Sequence, residues 1–363
     1  MGIEKLIRRD IASFTGYSAA TSPEVLDGKI DVAVKDIIKL DANENPYGCS
    51  PRVQKALAKY KDFNIYPDDG QEKLRGLLAA YTGVSANHIV ATSGSNTLID
   101  LIERLFIEPG DEVINLTPTF GVYNFSTKLN SGKLVEIPRD KDFNIDLLKV
   151  IAVLTKNTKL IFIANPNNPT GNLTSRHDIE VLCKTGIPVV LDEAYYEFSW
   201  ETAIGMMKKY DNLMILRTFS KWAGLAGLRV GYGMFPTRIA ELLLKIKMPY
   251  NVNVAALIAV EESLKDTEFL NASVNKIVAE RDRLFEQLKT IPWLKPYPSR
   301  ANFILCDVLP GDAHGLYQRL QEKGILVRYF EQPRLKECIR ISVGKPEQTD
   351  AIMKVLLSLK PKK

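Results

Sequence analysis

Lys159-Leu160-Ile161-Phe162-Ile163-Ala164-Asn165-Pro166-Asn167-Asn168-Pro169-Thr170-Gly171 is an apolar run that stops abruptly in a loop of asparagine, proline and glycine. A short apolar run bounded by turn residues reads as a strand buried on both faces. The same pattern predicts strands over 112–116, 188–191 and 213–216, and helical spacing over 145–154 and 175–185 lies between them. Strand and helix in alternation predict an α/β fold with a mainly parallel sheet covered on both sides. Ligand groups then belong in the loops at the carboxyl ends of the strands.

Beyond residue 255 the pattern changes to a long helical stretch over 271–289, then strands over 301–306, 325–328 and 339–343 with a helix over 314–323. This reads as a smaller α+β unit. Residues before 41 have little core of their own and are expected to pack on it. The expected division is a large unit at 41–254 and a small one formed by both chain ends, 1–40 and 255–363.

A chain of 363 residues is long for a single core. Its 45% hydrophobic and 25% charged residues describe an ordinary globular protein. The net charge of +5 is spread without a dense basic block, which argues against nucleic acid as a partner. Cys49, Cys183, Cys306 and Cys338 lie far apart with no metal-ligand spacing, and only His88, His177 and His314 are present. No metal site and a reducing, cytoplasmic setting are therefore expected. Neither a signal-peptide core over 1–10 nor a membrane-length apolar run is seen, so no membrane partner is expected. The tail Lys360-Pro361-Lys362-Lys363 reads as a solvated end.

Four constellations carry chemistry. Thr218-Phe219-Ser220-Lys221, followed by Gly224 to Arg229, offers a lysine amine beside hydroxyls and a guanidinium in a small-residue setting. Covalent capture of a phosphorylated aldehyde needs that combination, because a nucleophilic lysine must spend time uncharged while a phosphate needs donors. By itself Ser-Lys is equally a surface turn. The loop 165–171 is a rigid turn if only its Asn-Pro pairs are counted, and a ligand-facing loop given its place after a buried strand, with Asn168 offering an amide. Asp192-Glu193-Ala194-Tyr195 ends the next strand. A carboxylate there needs a cation, such as a protonated ring nitrogen, or else serves as a cap, and Tyr195 is either a donor to a ring oxygen or core. Thr92-Ser93-Gly94-Ser95-Asn96 opens a helix, as an anion-binding turn or a plain N-cap. Phe120 and Tyr123, after Pro118, are candidates to stack on a planar ring or to fill the core.

These elements, in this order from about Leu40 to Gly344, resemble the fold-type I pyridoxal-phosphate aminotransferases. Leu40-Asp41-Ala42-Asn43-Glu44-Asn45-Pro46, Tyr66-Pro67-Asp68, and Arg328 followed by Arg340 are similar to the histidinol-phosphate branch of that family. Asn96-Thr97 departs from the Asp-Glu frequent there. The resemblance implies pyridoxal 5'-phosphate held by Lys221 as a Schiff base, with Lys221 afterwards the proton carrier. It implies Asp192 on the ring nitrogen, Asn168 and Tyr195 on the ring hydroxyl, and Phe120 stacked on the ring. For the phosphate it implies the Gly94-Ser95-Asn96 turn, Thr218, Ser220, Arg229, and Tyr66 from a second subunit of a homodimer. Arg340 and Arg328, with Tyr17, Asn43, Tyr66 and Asn168, are implied for substrate.

The expected reaction exchanges the amino group of L-histidinol phosphate with 2-oxoglutarate, a step of histidine biosynthesis. Transamination of aromatic amino acids and decarboxylation of threonine phosphate are the alternatives on the same fold. A cofactor-sensing regulator would need a DNA-binding module, for which the residues before Asp41 are too few.

Overall fold

The computed structural model describes residues 2–14, 16–17, 22–26 and 28–359; the expected solvated tail at 360–363 lies outside them. In chain order the strands are β1 (Ile38–Leu40), β2 (Ile89–Thr92), β3 (Glu112–Thr117), β4 (Lys133–Pro138), β5 (Thr158–Ala164) and β6 (Val189–Asp192). They continue as β7 (Leu213–Thr218), β8 (Gly231–Met234), β9 (Leu294–Pro296), β10 (Phe303–Val308), β11 (Ile325–Tyr329) and β12 (Cys338–Ser342).

The larger sheet has seven strands in the order β2-β8-β7-β6-β5-β3-β4. Its pairs from β4 through to β7 are parallel, and β8 runs antiparallel to both β7 and β2. β5 shows why the sequence adopts this form. Alternation sends Ile161 and Ile163 into the core on one face and Leu160 and Phe162 into the core on the other. All four are shut off from solvent, and burial of each such side chain contributes about 1.5–3 kcal/mol. A continuous apolar run is thus what a strand covered on both faces requires.

The second sheet, β1-β11-β12-β10-β9, has its own core, in which Ile304, Ile339 and Ile341 meet Leu316 and Leu320. The helix Thr267–Leu288 joins the two bodies: Leu270, Val274 and Ile277 enter the large core, and Leu284 and Leu288 the small one. Among the described residues no helix is long and apolar enough to cross a membrane.

β1 pairs with β11 in the second sheet, and residues 2–14 and 16–17 also reach the larger sheet's side. Phe14 packs on Phe125 with centroids 5.3 Å apart, Tyr17 meets Phe120 edge-on at 6.3 Å, and Arg8 bonds Ser131. The aromatic side chains of this segment find apolar partners along the helix Val122–Leu129, on the large sheet's side. Sequence reading passed over β2, β4, β8 and the short strands β1 and β9. β4 has an exposed edge pattern, and β8 carries two glycines, which weaken strand character.

Candidate active site

Strand ends β5, β6 and β7 open on a cavity of about 280 Å³, to which Lys221, Asp192, Tyr195, Asn168, Phe120 and Arg340 all contribute. The strands' alternation decides which side chains reach it. Asp192 closes β6 facing the cavity, so Glu193 turns the other way, where Arg217 meets it in a buried ion pair at 2.8 Å. Thr218 follows Arg217 on β7 and faces the cavity in the same manner.

Lys221 lies in the turn after β7 and donates from Nζ to the Ala42 carbonyl at 2.8 Å. Burial, reinforced by the Arg340 cation, pushes its pKa down to about 8. Its amine therefore has a sizeable uncharged fraction near neutral pH, as a nucleophile needs. Asp192 accepts from the Tyr123 hydroxyl at 2.8 Å and from the Ala194 N–H at 3.1 Å. Burial nonetheless raises its carboxyl to about 6. Among the described residues no cation forms an ion pair with it, which leaves its charge available to a cationic group entering the cavity.

The Tyr195 hydroxyl accepts from the Asn43 amide at 2.9 Å and from the Asn168 amide at 3.3 Å. Neither bond uses its hydrogen, which is left to donate to a ligand oxygen. Asn43 is itself fixed by Ser342, which donates to its Oδ1 at 2.8 Å, and by Asn302, which donates to its carbonyl at 3.0 Å.

At the anion end of the cofactor side, the helix Ser95–Phe106 points its first N–H groups toward the cavity, with Ser95 and Asn96 in the lining. Gly94 has φ +84°, and a Cβ there would stand 2.6 Å from Arg229 Nη2. A Cβ on Gly231 of β8 would stand 2.3 Å from the Ser95 nitrogen. Both glycines make room for this corner. Thr218 Oγ1, Ser220 Oγ and Arg229 Nη1 form a chain of donors around it, with spacings of 3.0 and 3.4 Å.

Opposite stands Arg340. Its Nη1 donates to Asn168 Oδ1 and its Nη2 to the Asp41 carbonyl, each at 2.6 Å, while the buried Nε has no hydrogen-bond partner. The guanidinium is thus bonded only to neutral oxygens, and a carboxylate or phosphate is the kind of partner such a group pairs with most strongly. Arg328 and Tyr17 line the same end, and β11–β12 pairing sets Arg328 directly across from Arg340.

Of the site residues the resemblance implies, Gly94 and Tyr66 do not line this cavity; Gly94 stands beside Ser95 and Arg229, whereas Tyr66 lies at the surface. It is 77% exposed and stacks on Tyr250 with centroids 4.5 Å apart. In the other direction, sequence reading missed the part Tyr123 plays: it was read as a ring stacker or core, and its hydroxyl is the direct partner of Asp192. Its position three residues after Phe120, in the first turn of a helix beginning at a strand's carboxyl end, was the available signal. The contributions of Ala42, Ser342 and Asn302 rest on contacts distant in sequence and left none.

Residues 35–356 match the family model for aminotransferase class I and II. A histidinol-phosphate aminotransferase of Dehalococcoides mccartyi is 53% identical over 98% of both chains. That of Roseiflexus castenholzii is 44% identical, also over 98% of both. Among solved structures, histidinol-phosphate aminotransferase from Sinorhizobium meliloti, in complex with pyridoxal-5'-phosphate, superposes with a TM-score of 0.88 at 28% identity, over 98% of each chain. With the model spanning almost the whole chain and relatives this similar, the protein belongs to the class I and II aminotransferases.

Proposed function

We propose that this enzyme uses pyridoxal 5'-phosphate to exchange the amino group of L-histidinol phosphate with 2-oxoglutarate, as a step of histidine biosynthesis. The observation that carries the proposal is the facing pair Lys221 and Asp192 in one cavity, with the unused donor of Arg340 at its other end. The names of the relatives at 44–53% identity favour this substrate over aromatic amino acids or threonine phosphate.

The residues fit the cofactor through an acid lacking a cation, a hydroxyl with its hydrogen to spare, and a corner of anion donors. When bound, the cofactor supplies an aldehyde that captures amines and a ring that takes up electrons from the carbon beside the nitrogen. Lys221 would hold the cofactor, and its ε-amine would carry a proton to and from that carbon. Asp192, kept in place by Tyr123, keeps a proton on the ring nitrogen. Tyr195 and Asn168 bond the ring oxygen, and Phe120 covers the ring face. The Gly94-Ser95-Asn96 turn, Thr218, Ser220 and Arg229 bind the phosphate.

Histidinol phosphate carries a phosphate and no carboxylate, whereas glutamate carries two carboxylates. Arg340 and Arg328, with Tyr17 and Asn43, form an anion end that serves either oxyanion in alternate half-reactions. Tyr66 belongs to the same proposal as a phosphate ligand and substrate contact offered to a second copy in a homodimer. The exposed neighbours Phe63, Ile65 and Tyr250 support such an interface. The proposal also takes 41–254 as the cofactor-binding unit, 1–40 with 255–363 as the smaller one, and the cytoplasm as the compartment.

The test mixes purified holoenzyme separately with histidinol phosphate, phenylalanine, tyrosine and threonine phosphate. Histidinol phosphate is expected to bleach the cofactor absorbance and 2-oxoglutarate to restore it. Bleaching by an aromatic amino acid alone, or release of carbon dioxide from threonine phosphate, contradicts the substrate assignment.

A further inference from the structure

Asn167 is 0% exposed and does not line the cavity, yet its side-chain amide is saturated. Nδ2 donates to the Pro118 carbonyl at 3.0 Å and to Thr170 Oγ1 at 2.7 Å. Oδ1 accepts from Thr119 Oγ1 at 2.8 Å and from Arg139 Nη2 at 3.4 Å. Two donors and two lone pairs are all that a primary amide has. Two of these bonds tie the loop after β5 to the loop after β3, the Thr170 bond braces the β5 loop itself, and the Arg139 bond ties in the residue that follows β4.

Arg139, 2% exposed, follows β4 and sends its other donors to carbonyls: Nε to Leu116 at 3.1 Å and Nη1 to Phe143 at 3.1 Å. Among the described residues it has no ion pair. A guanidinium buried against neutral oxygens alone is costly, and burial draws its pKa down to about 10. An apolar side chain would fill that volume more cheaply, so what the cation adds is the fixed geometry of its three-way fork.

The clamped residues are the immediate neighbours of two side chains that line the cavity. Thr119 precedes Phe120, and Asn167 precedes Asn168. We propose that Arg139 and Asn167 are positioning residues that fix Phe120 relative to Asn168, and so hold the side chain that covers the cofactor ring in register with the amide that bonds the ring oxygen. This inference rests on the cofactor roles given to Phe120 and Asn168 above. It adds a buried support that touches neither ligand. A saturated network of this kind holds its members more firmly than single bonds do, because losing one member leaves the others buried without partners.

The test compares Asn167→Ala, Arg139→Met and Arg139→Lys with the unaltered protein. Three readouts are needed: the dissociation constant of pyridoxal phosphate from quenching of tryptophan fluorescence, the pH midpoint of the bound cofactor's absorbance, and the melting temperature of the cofactor-free protein. Asn167→Ala and Arg139→Met are expected to weaken cofactor binding about tenfold and to move the pH midpoint. Arg139→Lys, which keeps the charge without the fork, should lose affinity much as Arg139→Met does, and full affinity in Arg139→Lys would overturn the role given to the fork. Unchanged affinity and midpoint with a lowered melting temperature would reduce both residues to structural roles and overturn the inference. If Asn167→Ala does not fold, Thr119→Val removes one donor, and a loss of about threefold reversed in Thr119→Ser is expected; normal affinity in Thr119→Val overturns the inference. An unaltered protein that binds no cofactor would instead count against the functional proposal.

Discussion

At the lysine end of the cavity, Asn168, Asp192, Thr218 and Lys221 all sit at or just beyond the carboxyl ends of neighbouring parallel strands. At the arginine end, Tyr17 comes from the N-terminal segment, Asn43 from the loop after β1, and Arg328 and Arg340 from the second sheet. The first set is positioned by one sheet whose register leaves little freedom. The second is assembled from three parts of the chain and depends on how those parts meet. On the proposed function, the chemistry repeated at every turnover rests on the sheet, and recognition of alternating anions on the assembled side. Arg340 links the two through its bond to Asn168.

That contrast can be broken by mutation. Asp192→Asn removes the charge that holds a proton on the ring nitrogen, and kcat should fall by about 10²–10³-fold with KM little changed. An equal change in KM would mean that the lysine end also governs binding. Arg340→Gln should show the reverse signature. Losing a buried charged hydrogen-bond partner corresponds to about 1.5–3 kcal/mol, so KM for 2-oxoglutarate should rise by about 10–100-fold while cofactor affinity stays near normal. Loss of cofactor together with substrate affinity would dissolve the distinction between the two ends.

Tyr123→Phe tests the smallest effect. The Tyr123 hydroxyl lowers the Asp192 carboxyl, which burial has raised from 3.8 to about 6. Between those values the folded cofactor-free protein binds more protons than the unfolded chain, so its stability should fall as pH rises through that window. Removing the hydroxyl extends the fall above pH 6, and titrating the melting temperature of the cofactor-free variant measures it. Bound cofactor supplies the missing cation and should suppress the pH dependence in both proteins. An unaltered pH profile in Tyr123→Phe would remove Tyr123 from the support of Asp192.

The same division explains what the sequence made legible. β5, β6 and β7 announce themselves as apolar runs, and Asn168, Asp192 and Lys221 are read from the loops that end them, because a parallel strand's end fixes where the next residues face. Tyr123 was half visible: it was read as a ring stacker or core, but its hydroxyl bond to Asp192 spans two different strand-helix connections. The packing of Phe14 and Tyr17 on Phe120 and Phe125 was not legible, since a few aromatic residues in a polar stretch carry no period that names their partner. The amide and hydroxyl bonds around Asn43, from Ser342 and Asn302, lie about as far apart in sequence as this chain allows, and only the folded structure brings them together.

The central claim is that one amine, lowered by burial to about 8, takes up the cofactor against the acid of Asp192. Incubating cofactor-free protein with pyridoxal phosphate across a pH series, reducing with borohydride and mapping the adduct by mass spectrometry tests it directly. The account predicts one modified site, Lys221, with an initial uptake rate rising about tenfold per pH unit below 8 and levelling above it. An adduct on another lysine, or none at any pH, would contradict it.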